Sequence, residues 1–193
     1  MTARSDKPAR QALVTAVLDH LLGDGQTDAS LRALATAAGV SHSLLLYHFG
    51  SRDGLMSAVL TECDRRQLGH LADLHYASPD SVELLEAAWK HVADERMWPL
   101  YRLAFALRSL NPASVAAVDA DDRERWIRAL TPLVASAGVA EDNAPDEALL
   151  WLCACRGLLW ELVSGADPEA VDRAATRLIG RYDARREAVG GRP

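Results

Sequence analysis

The chain has 193 residues, of which 49% are hydrophobic and 25% charged, a balance typical of a globular protein that buries a core. No apolar run approaches the roughly 18 residues that span a bilayer, and the N-terminus lacks the apolar core of a signal peptide, so we expect a cytoplasmic protein without a membrane partner. The net charge of −6 argues against an unspecific nucleic-acid coat.

Helix signals are dense along the chain, and strand signals are absent, which predicts an all-α fold. An apolar stripe predicts the first helix at about 7–22. Helices are further predicted at about 31–38, 42–49, 51–76, 79–95, 98–110, 112–136, 145–164 and 168–187. Several of these starts carry proline at or near the first helical position, where its missing N–H costs nothing. We expect Pro132 to kink or end its helix early.

The segment Leu31–Leu55 has the pattern of a helix-turn-helix followed by a further helix. Ser30 and Ser41 occupy N-cap positions, and Gly39 and Gly50 follow the last periodic residues. At about 100° per residue, Val40, Leu44 and Leu45 share one side of the second helix. The residues predicted on its other side are His42, Ser43, Leu46 and Tyr47.

This segment resembles the DNA-binding domain of the TetR family of bacterial transcriptional repressors. The positions in register are Leu34-Ala35, Ala38-Gly39-Val40-Ser41, Leu45, His48-Phe49, Ser51-Arg52-Asp53 and Leu55. The sequence departs from the family pattern at Leu46, where the family usually has tyrosine, and Tyr47 follows one place later. Arg52 replaces the usual lysine.

The resemblance implies a helix-turn-helix DNA-binding domain at 1–50 and an effector-binding and dimerisation domain at 51–193. His42 and Ser43 then lie at base edges, and Leu46 meets a thymine methyl or a sugar. Ser30, Ser41, Tyr47 and Arg52 are expected to meet phosphates. Five basic and five acidic residues cancel within 1–53, so the segment is not a basic patch.

Aromatic side chains concentrate in the second predicted domain, which suggests either a small-ligand cavity or a filled core. Trp98, Tyr101, Arg102 and Phe105 are spaced to line one region of a helix. Because members of the resembled family bind effectors in this domain, we predict a small apolar or aromatic effector. Its predicted contacts are Trp98, Tyr101, Arg102, Phe105, Trp126, Trp151 and Cys155.

The helix predicted at 145–164 is apolar on nearly all sides, so it needs cover on all sides. A second copy of the chain supplies that cover in a four-helix interface with the final helix, as in the resembled family. The alternative is burial within one chain. The predicted homodimer contacts are Leu152, Arg156, Leu159, Val163, Ala174 and Leu178.

The remaining candidates for chemistry are weak. Asp119, Asp121 and Asp122 could serve acid catalysis or hold Mg²⁺, but their alternation with arginine is typical of a solvated charged face. The three cysteines and six histidines show no ligand spacing, so we expect free thiols, no metal and no cofactor.

The sequence thus predicts a ligand-responsive, homodimeric transcription regulator and not an enzyme. It acts as a repressor on a palindromic double-stranded operator. The alternatives are a dimeric helical ligand-binding protein without DNA binding and a helical enzyme that uses the aspartate run.

Overall fold

The computed structural model describes residues 3–24, 27–77, 81–110 and 112–190. The helices in these ranges are α1 (Ala3–Asp24), α2 (Leu31–Ala37), α3 (His42–Phe49), α4 (Arg52–Ala77), α5 (Ser81–Val92), α6 (Trp98–Leu110), α7 (Pro112–Ser136), α8 (Ala144–Val163) and α9 (Pro168–Gly190). Short 3₁₀ helices at Glu95–Met97 and Glu141–Asn143 precede α6 and α8. These ranges contain no strand, so the all-α prediction is confirmed. No helix within them has the length and apolar character to cross a bilayer.

The helix boundaries follow the proline signals closely, with one exception. Helices α7 and α9 begin at Pro112 and Pro168, whereas the predicted start at Ser78-Pro79-Asp80 lies outside the described residues. Of the two effects expected of Pro132, an early end of the helix is wrong, because α7 continues to Ser136, and a kink stays a prediction. Pro132 is exposed, so water can serve the carbonyl that its missing N–H leaves unpaired.

The chain forms two compact units: residues 1–65 with 99–120, and residues 66–98 with 121–193. In the first unit, α1 buries one apolar stripe together with the inner faces of α2, α3 and the first half of α4. Its most buried side chains include Val17, Leu18, Leu34, Leu45, Leu55, Val59 and Leu60. The functional boundary at residue 50 stays a prediction.

Hydrogen bonds and ion pairs at the edge of this core hold the first half of α4 against α1 and α6. The buried carboxylate of Glu62 accepts hydrogen bonds from Gln11 Nε2 of α1 at 2.8 Å and from Arg65. Two residues further along, Asp64 is 3% exposed and pairs with Arg108 Nη2 of α6 at 2.7 Å. Such buried charges are stable only when paired, so both contacts restrict where α4 can lie.

The second unit is built from α5, α8 and α9, with α7 from residue 121 onward and α4 from residue 66 onward. Helix α9 packs against both α5 and α8. Hydrogen bonds reinforce this packing: Trp89 Nε1 donates to Asp172 at 2.9 Å, and Tyr182 donates its hydroxyl proton to Glu147 at 3.0 Å. The Trp151 and Tyr182 rings meet edge to face at 5.6 Å between centroids.

Candidate nucleic-acid interface and ligand cavity

Both short helices of the helix-turn-helix begin with a side-chain cap. Ser30 Oγ accepts from Ala33 N of α2, and Ser41 Oγ accepts from Leu44 N of α3, each at 3.2 Å. Gly39 ends the first helix with φ of +68°, a conformation that a side chain would strain. An eight-residue helix is marginal alone, so these caps and the packing of α2 on α3 hold α3 in place.

The start of α4 locks the end of α3. A Cβ atom on Gly54 would lie 2.2 Å from the Phe49 carbonyl oxygen, so only glycine allows this approach. Phe49 is buried, and the Arg10 guanidinium of α1 lies 4.7 Å from the centre of its ring. Arg10 was not among the predicted site residues, because nothing in the sequence pairs it with the end of α3.

The outer surface of α3 carries most of the predicted base-contacting residues. Leu45 and Phe49 point into the core, while Ser43 is exposed, Leu46 is 39% exposed and Tyr47 is 73% exposed. His42 is half-buried. Leu44 differs from the expectation, since it is 37% exposed and not on the buried side with Leu45. The prediction for Leu44 assumed that the helix already includes Val40. Because α3 begins only at His42, the position of Val40 does not indicate which side of the helix Leu44 occupies.

Arg52 points its donors at the chain's own backbone. Its Nε donates to the Ala29 carbonyl at 2.9 Å, and its Nη2 donates to the Thr27 carbonyl. Both acceptors lie in the segment between α1 and α2. We predicted a phosphate contact for Arg52, whereas these hydrogen bonds let it position the segment that leads to Ser30.

The second unit contains a cavity walled by three tryptophan rings. Its lining residues are Ala88, Trp89, Val92, Trp126, Leu130, Trp151, Leu152 and Cys155. The cavity volume is about 40 Å³, which leaves room for no more than a few water molecules. Burial raises the pKa of the Cys155 thiol to about 12, so the lining carries no charge at neutral pH.

The cavity gathers part of the predicted effector-contact set. Trp126, Trp151 and Cys155 line it, and Trp89 joins them although it was not predicted. Trp98, Tyr101, Arg102 and Phe105 lie on α6 and are not among its lining residues. Trp98 Nε1 instead donates to the Ala93 carbonyl at 3.1 Å. Helical spacing placed these four together but could not show which side chains from other helices meet.

The outer side of α8 carries an apolar stripe from Leu150 to Trp160. Leu150 is 64% exposed and Trp160 is 53% exposed, and the exposed residues Cys153 and Gly157 lie between them at helical spacing. Among the predicted dimer contacts, Leu152 and Leu159 are buried inside the chain, Ala174 is exposed, and Arg156, Val163 and Leu178 are half-buried. A helix that is apolar all round does not reveal from sequence which side faces its own core.

The aspartate run does not form a common site. Asp122 is fully buried and pairs with Arg125, whereas Asp121 is exposed, so the two carboxylates face different surroundings. The side chain of Asp119 lies outside the described residues. In the described part of the chain, no cluster of histidine, cysteine and acidic side chains is arranged to hold a metal ion.

Comparison with known proteins identifies the helix-turn-helix. A family model for bacterial regulatory proteins of the tetR family matches residues 21–59, which include α2, α3 and the start of α4. The HTH-type transcriptional regulator BetI of Rhizobium meliloti (strain 1021) is 33% identical over 108 residues, 56% of this chain and 47% of that protein. The match thus spans about half the length of this curated relative.

Solved structures show the same fold over nearly the whole chain. A transcriptional regulator from Rhodococcus sp. Rha1 has a TM-score of 0.72 at 24% identity and covers 90% of this chain and 95% of its own. A TetR-family regulator from Pectobacterium atrosepticum has a TM-score of 0.71 at 18% identity, covering 92% and 94%. The family and the relative are transcriptional regulators and not enzymes, as the sequence predicts. Residues 21–59 thus form a helix-turn-helix similar to that of the tetR family, within a chain that shares the fold of these solved regulators.

Proposed function

We propose that the chain is a homodimeric repressor that a small apolar or aromatic molecule releases from a near-palindromic operator. The observation that carries the proposal is the capped helix α3, which turns Ser43, Leu46 and Tyr47 outward from the core of the first unit. Each subunit presents one such helix to one half of the operator. The two helix centres then lie about 34–36 Å apart, or a multiple of that distance.

Phosphate contacts orient α3 over the groove. Ser30 and Ser41 lie at helix N-termini, where backbone N–H groups and the helix dipole attract phosphate. The hydroxyl of Tyr47, whose side chain is 73% exposed, takes the place of the tyrosine that the resembled family usually has one position earlier. His42 and Ser43 supply hydrogen bonds to base edges. Arg52 acts by holding the segment before Ser30 through its two backbone hydrogen bonds.

The exposed stripe on α8 supports a dimer. Leu150, Cys153, Gly157 and Trp160 form an apolar surface on α8, and Ala174 is exposed on α9, which packs against α8. Burying such a surface against its symmetry copy removes it from water, and small residues at Cys153 and Gly157 allow helices to approach closely. We therefore place the centre of the interface on this stripe, with Arg156, Val163 and Leu178 at its edges.

The tryptophan-lined cavity supports an effector site. Its uncharged, apolar lining favours an uncharged ligand with aromatic or aliphatic carbon. Its present size admits little more than water, so a ligand must move the lining side chains apart. A ligand that binds the protein more tightly in a helix arrangement other than the DNA-binding one lowers DNA affinity by that difference.

Fluorescence anisotropy with duplexes from the DNA flanking the chain's own coding region tests the proposal. We expect saturable binding by the dimer and release by an apolar compound that also quenches tryptophan fluorescence. The Leu46→Ala/Tyr47→Ala variant should lose the binding, and Asn143→Ala, at an exposed site in the second unit, should keep it. Failure of the wild-type dimer to bind any duplex at low salt would contradict the proposal.

One observation favours a second candidate, a dimeric ligand-binding protein without DNA binding. The sequence has no lysine or arginine between Arg32 and Arg52, so α3 itself brings no cation to the phosphates. The same titration separates the two functions. The cytoplasmic location predicted from the sequence belongs to the repressor proposal, because its operator lies there.

A further inference from the structure

We propose that α3 reads its operator mainly through the C5-methyl groups of thymine, with Leu44 and Leu46 as the specificity-determining side chains. This inference rests on the proposed DNA binding and adds which chemical feature of the half-site is recognised. It requires at least two thymines in the major groove of each half-site, one for each leucine.

The geometry of α3 defines the surface that enters the groove. With Leu45 and Phe49 buried, the helical repeat places Leu46, Ser43, Tyr47 and Leu44 in that order around the outer side. They span about 160° of the helix circumference at about 100° per residue. Leu46 and Leu44 occupy the two flanks of this arc, so they reach different base pairs.

The side chains of this arc are not the types that make the usual hydrogen bonds specific for guanine, adenine or cytosine. Guanine is read by bidentate arginine or lysine, adenine by asparagine or glutamine, and cytosine by a carboxylate. The eight residues of α3, HSLLLYHF, include none of these types. Ser43 is the one outer residue with a short hydrogen-bonding side chain, and a hydroxyl serves any base.

Thymine methyl groups are the complementary feature of the groove. The C5-methyl is the apolar group that a natural base pair exposes in the major groove. Leu44 and Leu46 are 37% and 39% exposed, so each retains apolar surface that water covers in the free protein. Contact with a methyl removes this surface from water, whereas contact with a carbonyl or amino edge would leave that polar group unpaired.

Replacing thymine by deoxyuridine tests the inference, because uracil keeps every hydrogen-bonding group and lacks only the methyl. The full-length protein first selects duplexes from a randomised pool at low salt. Each thymine of the selected half-site is then replaced singly. We expect about fourfold weaker binding per lost methyl contact, and about 15-fold when both half-sites are changed.

Leucine-to-alanine variants show which thymine methyl group each leucine contacts. Leu46→Ala should remove the uracil effect at one thymine, and Leu44→Ala should remove it at another. Ser43→Ala, on the same surface, should keep both effects, as should Leu46→Met, which preserves the apolar contact. Circular dichroism and gel filtration show whether each variant keeps its helices and its assembly.

The outcomes separate this inference from the proposed function. If no duplex is selected, the proposed DNA binding itself fails. If selected duplexes bind equally well with thymine and uracil at every position, DNA binding stands and methyl recognition is overturned. Uracil sensitivity that persists in the Leu44→Ala/Leu46→Ala variant would also overturn it, since the methyls would then act through DNA shape and not through these side chains.

Discussion

Helices α3 and α8 both expose large apolar side chains, but they do so on surfaces of different size and chemistry. On α3, Leu44, Leu46 and Tyr47 surround Ser43 on a helix of eight residues that caps and glycines hold in place. On α8, Leu150 and Trp160 lie at the two ends of a stripe along a helix of 20 residues.

The difference shows that the role of an exposed apolar side chain depends on the size and chemistry of the surface around it. A short, narrow ridge with hydroxyl groups fits a groove about the width of a helix. A long stripe with small residues in its middle fits another helix. We therefore assign the first surface to DNA and the second to a copy of the chain, and the following experiments test that assignment.

The largest effect is expected from charge on the α8 stripe. The Leu150→Glu/Trp160→Glu variant should be monomeric, because symmetry brings four carboxylates into one apolar interface. Loss of the second half-site should weaken operator binding by about 100-fold or more. Sedimentation velocity and anisotropy measure the two effects. Leu150→Met/Trp160→Phe is the matched control, and a charged variant that stays dimeric would contradict the assignment.

A smaller effect is expected on α3 from Tyr47→Ala. Loss of one phosphate hydrogen bond and its ring contact should weaken binding to selected and random duplexes alike, by about tenfold. Tyr47→Phe should reproduce most of this loss if the hydroxyl makes the contact. A loss confined to the selected duplex would instead show that Tyr47 reads bases.

The Arg52→Ala substitution should weaken DNA binding without altering the salt dependence of that binding. The logarithm of the DNA-binding constant falls with the logarithm of salt concentration, and each lost phosphate contact makes this slope shallower by about 0.9. Since Arg52 donates to the Thr27 and Ala29 carbonyls, Arg52→Ala should weaken binding at every salt concentration with the slope unchanged. Faster hydrogen exchange in the segment before Ser30 should accompany the loss. A slope reduced by about one unit would restore the phosphate contact predicted from the sequence.

Cysteine alkylation tests whether the α8 stripe is the dimer interface, and it needs no substitution in the wild-type protein. Cys153 is exposed on the stripe of one chain, whereas burial raises the pKa of Cys155 to about 12 and keeps its thiol protonated. We expect Cys153 to react slowly in the dimer and faster in the Leu150→Glu/Trp160→Glu variant, with Cys155 slow in both. Mass spectrometry after timed alkylation reads each site. Fast labelling of Cys153 in the wild-type dimer would place the interface elsewhere.

The features that could be predicted from the sequence are those that depend on residues close together in the chain. Ser30, Ser41 and Gly39 predicted the helix-turn-helix because capping depends on residues only a few positions apart. The inner and outer sides of α8 could not be separated, since Leu152 and Leu150 are the same residue type in a helix that is apolar on nearly all sides. The cavity joins side chains of α5, α7 and α8, and such long-range packing leaves no periodic signal in one sequence.

A hydroxyl-radical footprint of the full-length protein on a selected duplex tests the central claim most directly. The account predicts two symmetric protected regions, with their recognised grooves about 10–10.5 base pairs apart or a multiple of that spacing. Leu46→Ala/Tyr47→Ala should weaken protection in both regions equally. A single unsymmetric footprint, or one that this variant leaves unchanged, would contradict a homodimer that presents α3 to DNA.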